Sequence, residues 1–398
     1  MKHRLLLILA VLPSICSCGP GAAKIGEPLP AWSEGCLDIH FINTGRGEGY
    51  LCIFPDGTSM LVDAGDIQDK PSSYLAVPPR RPDSLTAGAD VYAQYARHFL
   101  PSSSGDRLDY ILLSHFHVDH FGYPGLATCE DFGYKHFCLA AVYDKLGADA
   151  LLDRGWPDYD CAVGNTSHGF ADYIAFARHA AESGTVVERF TLGRDDQIVL
   201  RKGGAGKYDF RVSNIAVNGD TFTARGDTLT SVVTSENAGS CAFHMRYGDF
   251  DFIACGDITG VPQNLWAKGW YGSFKPSVDV FKANHHLHHN AWGSAMVDEG
   301  FKAQTIFGFC FGKTDPKHVT TKVLQSAASA GDVFLTNAYE GSVQEYPDVY
   351  ALMKDYNGHF VVRVAPGGSS FYVYKLRDTD FSYEVLASYG PYFCTNCQ

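Results

Sequence analysis

Leu112-Leu113-Ser114-His115-Phe116-His117-Val118-Asp119-His120-Phe121-Gly122 packs four potential metal ligands, His115, His117, Asp119 and His120, directly behind an apolar run. Tyr110-Ile111-Leu112-Leu113 reads as a short buried strand bounded by polar residues. A strand running into a tight loop aims alternate side chains one way, so His115 and His117 can share one ion. Asp119 and His120 fall on the following turn and can face a second ion beside it. Imidazoles mixed with carboxylate suit zinc, and ligand sets with open positions are catalytic. A merely histidine-rich surface loop gives no reason for so dense a cluster to follow a buried strand.

Working outward, Leu37 to Ile42 alternates like a strand and enters Asn43-Thr44-Gly45-Arg46-Gly47-Glu48-Gly49. Tyr50 to Phe54 is a second strand, Pro55-Asp56-Gly57 a hairpin turn, and Met60-Leu61-Val62 a third strand ending in Asp63-Ala64-Gly65-Asp66. Far downstream, the apolar strand from Phe250 ends in Gly256-Asp257. Val278 to Lys282 then leads into Ala283-Asn284-His285-His286-Leu287-His288-His289-Asn290.

These elements together resemble the metallo-β-lactamase-fold hydrolases, with their HxHxDH loop, opening strand–loop–strand–turn–strand–Asp-x-Gly and late strand–His-His element. The Gly-Arg-Gly-Glu-Gly version is similar to the branch that includes the DNA-uptake protein ComEC and the choline-phosphate esterases. The resemblance covers residues 36–380 and implies an α+β fold, a four-layer αββα sandwich in one domain with insertions. It implies that His115 and His117 bind one metal ion and Asp119 and His120 the other. Asp257 would bridge both ions, His286 would supply the last ligand, and Asp63 would orient the metal-loop histidines from behind. In the same scheme Asp119 also holds the attacking water and His285 stands beside the substrate. Leu287 occupies the place of a usual glycine, so the division of roles within the His285–His286 pair stays open, with His288 and His289 as rim residues or alternative ligands. His318 resembles a family position at the site rim.

Many members carry another histidine between the HxHxDH loop and the bridging aspartate. Here the corresponding loop is Asn237 to Ser240, which fits the ComEC and choline-phosphate esterase branch. His244 lies four residues further, inside a strand. The implied activity is hydrolysis by a metal-bound hydroxide on two zinc ions, or manganese, with a phosphodiester-type substrate. A lactonase or thioesterase is the alternative on the same site. From a different class comes a non-catalytic surface binding lipoprotein with a structural metal, against which the number of retained ligands argues. HxHxDH rather than HxExD favours hydrolysis over iron-dependent oxygen reduction.

The 398 residues are 45% hydrophobic, enough for a large core. A net charge of −12 offers nucleic acid no general electrostatic attraction, since such binding is dominated by phosphate neutralisation. Residues 1–18 have a basic start (Lys2, His3, Arg4) and an apolar run too short to span a bilayer, as in a secretory signal. Ile15-Cys16-Ser17-Cys18-Gly19 resembles a bacterial lipoprotein cleavage box with Cys18 as the lipidated residue; an ordinary signal peptide is the alternative. The expected address is therefore outside the cytoplasm on a lipid anchor, facing small-molecule or cell-envelope substrates.

Residues 19–35 read as a tether and 381–398 as a tail. Some cysteines of an exported chain should pair, Cys394 and Cys397 among them as a staple. Cys52, Cys241, Cys255 and Cys310 sit in apolar runs as buried thiols. Residues 67–106 form an insertion with a helix around Ala89 to Leu100, and Asp66 reads as a turn residue. Phe170 to Ser183 has helical spacing, stopped by Gly184. His136, His168 and His179 show no ligand spacing and read as surface or core histidines.

Overall fold

The apolar runs between residues 37 and 62 form three antiparallel strands in the computed structural model, β1 (Leu37–Phe41), β2 (Tyr50–Ile53) and β3 (Ser59–Val62). The structure describes residues 23–68, 77–126, 132–161, 168–223, 225–271, 278–310, 312, 314 and 319–394. Residues 1–22, with the expected signal segment and Cys18, and also Cys129, His318 and Cys397, lie outside the described residues. β4 (Leu108–Leu112), β5 (Ala148–Asp153) and β6 (Val186–Arg189) extend the first sheet in parallel from β3.

The chain then builds a second sheet. Its antiparallel part is β7 (Phe210–Val217), β8 (Asp220–Phe222), β9 (Thr228–Thr230), β10 (Ala242–Tyr247) and β11 (Phe250–Ala254). From β11 the sheet continues in parallel through β12 (Val278–Lys282), β13 (Ala303–Gly308), β14 (Asp332–Leu335) and β15 (Asp355–Tyr356). β16 (His359–Val364), β17 (Ser370–Leu376) and β18 (Val385–Phe393) return to the first sheet beside β1. Among the described residues each sheet has nine strands.

Side-chain alternation gives each sheet two faces, and both are buried. Leu37, Ile39, Phe41 and Val62 from the first sheet share one cluster with Phe243, Phe252, Val280 and Phe307 from the second. Phe41 stacks on Phe307 between the sheets, ring centroids 4.1 Å apart. On the other side of the first sheet, Leu51, Leu61, Ile111 and Leu151 pack under three helices, α1 (Gly88–Phe99), α3 (Cys138–Leu146) and α4 (Phe170–Glu182); the single turn α2 (Val118–Phe121) follows β4. Ile253, Phe281, Ile306 and Leu335 do the same for the second sheet under α5 (Gly260–Gly269), α6 (Ser294–Asp298) and α7 (Thr321–Ala330). The layers therefore run helix, sheet, sheet, helix, the α+β αββα sandwich that the motifs imply.

Four expectations change. Residues 381–394 are not a free tail: Val385–Phe393 forms β18, the edge strand against β17. Part of the 19–35 tether is also held. Gly26 N–H donates to Val385 O and Leu29 N–H to Tyr383 O, and Leu29 is buried. Asp66 is buried and ion-paired with Arg80 at 2.7 Å, anchoring the insertion rather than making a turn. Among the described residues no cysteine is paired; Cys52, Cys241, Cys255 and Cys310 are buried thiols, and Cys394 is a free thiol.

The Phe41–Phe307 stack makes the inter-sheet layer sensitive to truncation. Phe307→Ala should destabilise the domain by about 3–5 kcal/mol, read as a lower urea midpoint with an unchanged slope.

Candidate metal centre

The carboxyl ends of the parallel strands meet at one edge, where open α/β sheets place their ligand sites. β3 delivers Asp63, β4 delivers Ser114 and His115, β11 delivers Asp257, and β12 delivers His285 and His286. Three clamps shape the metal loop. Asp63, in a left-handed conformation (φ 59°), accepts from Ser114 N–H at 2.8 Å, from Ser114 Oγ at 2.8 Å and from His120 Nδ1 at 2.8 Å. Phe116 N–H donates to Glu236 Oε1 at 3.0 Å, and Glu236 is itself held by the fully buried Arg154. Gly65 lets the third clamp close: a Cβ there would fall 1.7 Å from Asp119 O, which accepts from Glu48 N–H at 2.8 Å.

Inside this frame the sequence-predicted ligands converge. His115 Nε2 lies 3.1 Å from His117 Nδ1. His120 Nε2 and His286 Nε2 are 3.1 Å apart, and Asp119 Oδ2 is 3.1 Å from His286 Nε2. Asp257 stands between the two groups, its Oδ2 3.2 Å from His120 Nε2, 3.1 Å from His286 Nε2 and 3.9 Å from His115 Nε2. His115, His120 and His286 are wholly buried; the rim is formed by Asp119, 22% exposed, His285, 15% exposed, and the partly exposed His117.

Whether this set suits a metal is decided by the far side of each ring. A ligating histidine typically donates its other N–H to a carboxylate, carbonyl or water, which fixes the tautomer. His120 gives Nδ1 to Asp63, His115 faces Ser114 Oγ with Nδ1 at 3.1 Å, and His286 Nδ1 lies 3.1 Å from Glu48 Oε2. The inward nitrogens are thus the ones free to offer lone pairs. Charge agrees. Burial would lower the pKa of His120, but Asp257, Asp63 and Asp119 outweigh it and raise it to about 10. His286 is raised in the same way, burial being overcome by Asp257 and Asp119. The carboxylates therefore demand positive charge in this space, which protons meet in the bare chain and a cation meets better. The buried cluster is able to hold metal.

The late His pair sits on a strained turn. His285, His286 and Leu287 all have positive φ (43°, 53° and 60°), and a left-handed turn costs a non-glycine residue about 1–2 kcal/mol. Leu287 takes the glycine's place because its side chain is buried against Gly308. The turn divides the pair: His286 points into the cluster, whereas His285 is held between Asn290 Oδ1 at 2.5 Å and Asn237 Nδ2 at 3.0 Å, with Nε2 4.0 Å from Asp257 Oδ2. Burial lowers the pKa of His285, against the raising effect of Asp257. Asn237 opens the short loop before β10. His288 is half-buried beside the pair, and His289 borders a pocket near α7.

Sequence reasoning passed over Glu48, Lys282, Glu236 and Arg154. The signal for Lys282 was a charged residue closing an apolar strand. Glu48 was the one charged acid in the Gly-rich loop. The remaining histidines stay apart: His244 pairs with Asp251 and packs on Trp270, His136 pairs with Asp144, His168 stacks on Tyr123 and His179 on Phe132.

No protein-family model matches the chain, and no curated protein sequence does. Among solved structures the chain is similar to CmlA, a diiron β-hydroxylase from Streptomyces venezuelae, at 14% identity and TM-score 0.39. It is also similar to Zn2+-bound PqqB from Methylobacterium extorquens (10%, 0.39) and to the short form of human tRNase Z (14%, 0.33). The matches cover 85%, 82% and 75% of this chain and 55%, 99% and 91% of those chains, so the chain spans about half the length of CmlA.

Asp63→Asn offers the His120 ring an amide N–H where it now meets a carboxylate. Metal affinity should fall about 10–100-fold with an unchanged circular dichroism spectrum, as measured by competition with a chelator.

Proposed function

We propose that the protein is a metal-dependent hydrolase that holds two zinc ions and cleaves a phosphodiester-type substrate. One observation supports this above others: two imidazoles and two carboxylates meet within about one hydrogen-bond length on buried ground, their outward ring nitrogens already turned to acceptors. His115 and His117 would hold one ion, Asp119, His120 and His286 the other, and Asp257 both. When bound, such ions lower the pKa of water towards neutrality and polarise a phosphoryl oxygen.

The remaining work falls to residues of the chain. Asp119, partly exposed at the rim, can accept a hydrogen bond from the attacking water with the oxygen turned away from His286. His285 stands at the rim with Nδ1 donating to Asn290 Oδ1 and Nε2 accepting from Asn237 Nδ2, and it takes a hydrogen bond from the substrate side by exchanging the Asn237 contact for it. The wholly buried rings exclude water from every direction except this rim. The phosphodiester class is favoured by the Gly-Arg-Gly-Glu-Gly loop and by Asn237 in place of a further histidine.

The test is turnover of bis-p-nitrophenyl phosphate, p-nitrophenyl phosphorylcholine, lactones and nitrocefin by zinc- and manganese-loaded protein. Phosphodiester cleavage is expected. Asp257→Asn should abolish it and lose metal, whereas His285→Ala should keep two ions and lose about 10²–10⁴-fold in rate. Lactone turnover without phosphodiester turnover would move the protein to the alternative reading. Failure to retain any transition metal after reconstitution would end the hydrolase proposal.

A further inference from the structure

Asp257 uses its two oxygens differently. Oδ2 faces four imidazole nitrogens, those of His286, His120, His115 and His285, at 3.1, 3.2, 3.9 and 4.0 Å. Oδ1 is buried without a hydrogen-bond partner, and what faces it is the ammonium of Lys282 at 3.7 Å. That distance is too long for a hydrogen bond but short for two unscreened charges.

Lys282 closes β12 and has no solvent exposure. Its Nζ is ion-paired with Glu48 Oε1 at 2.5 Å and donates to Gly256 O, next to Asp257 in the chain, at 2.9 Å. Glu48 arrives from the loop between β1 and β2, on the other sheet, and sets Oε2 behind His286 at 3.1 Å. Glu48, His120, Asp257 and His286 offer ligand atoms within 4.8 Å of one another, so Glu48 has the chemistry of a ligand. Yet its Oε1 is ion-paired with Lys282, and its Oε2 lies 3.1 Å from the outward nitrogen of His286. Glu48 therefore acts from behind the cluster.

A buried ion pair serving stability alone is replaceable by apolar side chains of similar volume. This one is placed to do more, because a single ammonium touches the backing of one ligand, His286, and the outer oxygen of another, Asp257. We propose that Lys282 is a positioning residue of the metal centre: it holds Asp257 Oδ1 and the Glu48 carboxylate outward, leaving Oδ2 as the single oxygen that Asp257 offers to both ions. The inference rests on the dinuclear reading above. Without the ammonium, Asp257 is free to rotate and present both oxygens to one ion, and Glu48 is free to enter as a competing ligand. The ion next to His286 then loses its defined shell.

The experiment uses the full chain and zinc alone, with stepwise dissociation constants from chelator competition and circular dichroism as the check on folding. Lys282→Met should weaken the second zinc about 10–100-fold while the first, on His115 and His117, changes far less. The double variant Glu48→Gln with Lys282→Met removes one buried charge of each sign. It should fold even where the single variant does not, and should still bind the second zinc weakly. Wild-type affinity for both ions in either folded variant overturns the inference and reduces the pair to a structural one. A wild-type chain that takes up no zinc is a different result, and removes the dinuclear reading itself.

Discussion

Negative charge concentrated where water cannot reach is the constraint on which this structure depends. Glu48, Asp63 and Asp257 are buried, and Asp119 is nearly so. Isolated carboxylates in such a place would protonate or unfold the site. Here Asp257 is held well below the usual range: burial would raise it, but His286 and His120 prevail. Each acid is matched by an imidazole or an ammonium from a different segment of the chain. The cluster thus fastens both sheets at their shared edge, and the strand order that brings β3, β4, β11 and β12 together is what makes the matching possible.

Much of this was legible in the chain. His115, His117, Asp119 and His120 stand close in sequence because one turn presents them all, so spacing exposes them. Asp257 and His286 were readable because each ends an apolar strand, where a parallel sheet puts its ligands. Glu48, Lys282, Glu236 and Arg154 were not, since their roles exist only through partners on other elements far along the chain, such as Arg154 on Glu236. Periodicity reports which face of an element is apolar and is silent about which charged groups meet across sheets. The ends of the domain were missed for a related reason. Nothing local in residues 26–29 or 385–393 announces that they pair with each other and with β17.

The insertion before α1 also has a physical role that composition hid. Arg80 pairs with Asp66 and also donates to Ile67 O, while Pro79 lies against Gly45, where a Cβ would come 2.2 Å from Pro79 O. The Gly-rich loop that carries Glu48 is therefore pressed from outside by the insertion and from inside by Lys282. Gly45 and Gly47 serve close approach of backbone to backbone, Gly49 makes room for the Tyr92 ring, and the loop's one buried acid is left with little freedom.

The left-handed turn at 285–287 ties two distant positions together. Gly308 has no side chain, and one placed there would meet Leu287 Cδ1 at 2.8 Å and Leu335 Cδ2 at 3.1 Å. Bulk at 287 is thus allowed only by its absence at 308, on the neighbouring strand. A lineage that acquired glycine at 287 would relieve the turn but open a void beneath the histidine pair, which a side chain at 308 is placed to fill. Neither change is favourable without the other, so the two sites are expected to exchange their bulk jointly, along a route that passes through a loosened metal centre.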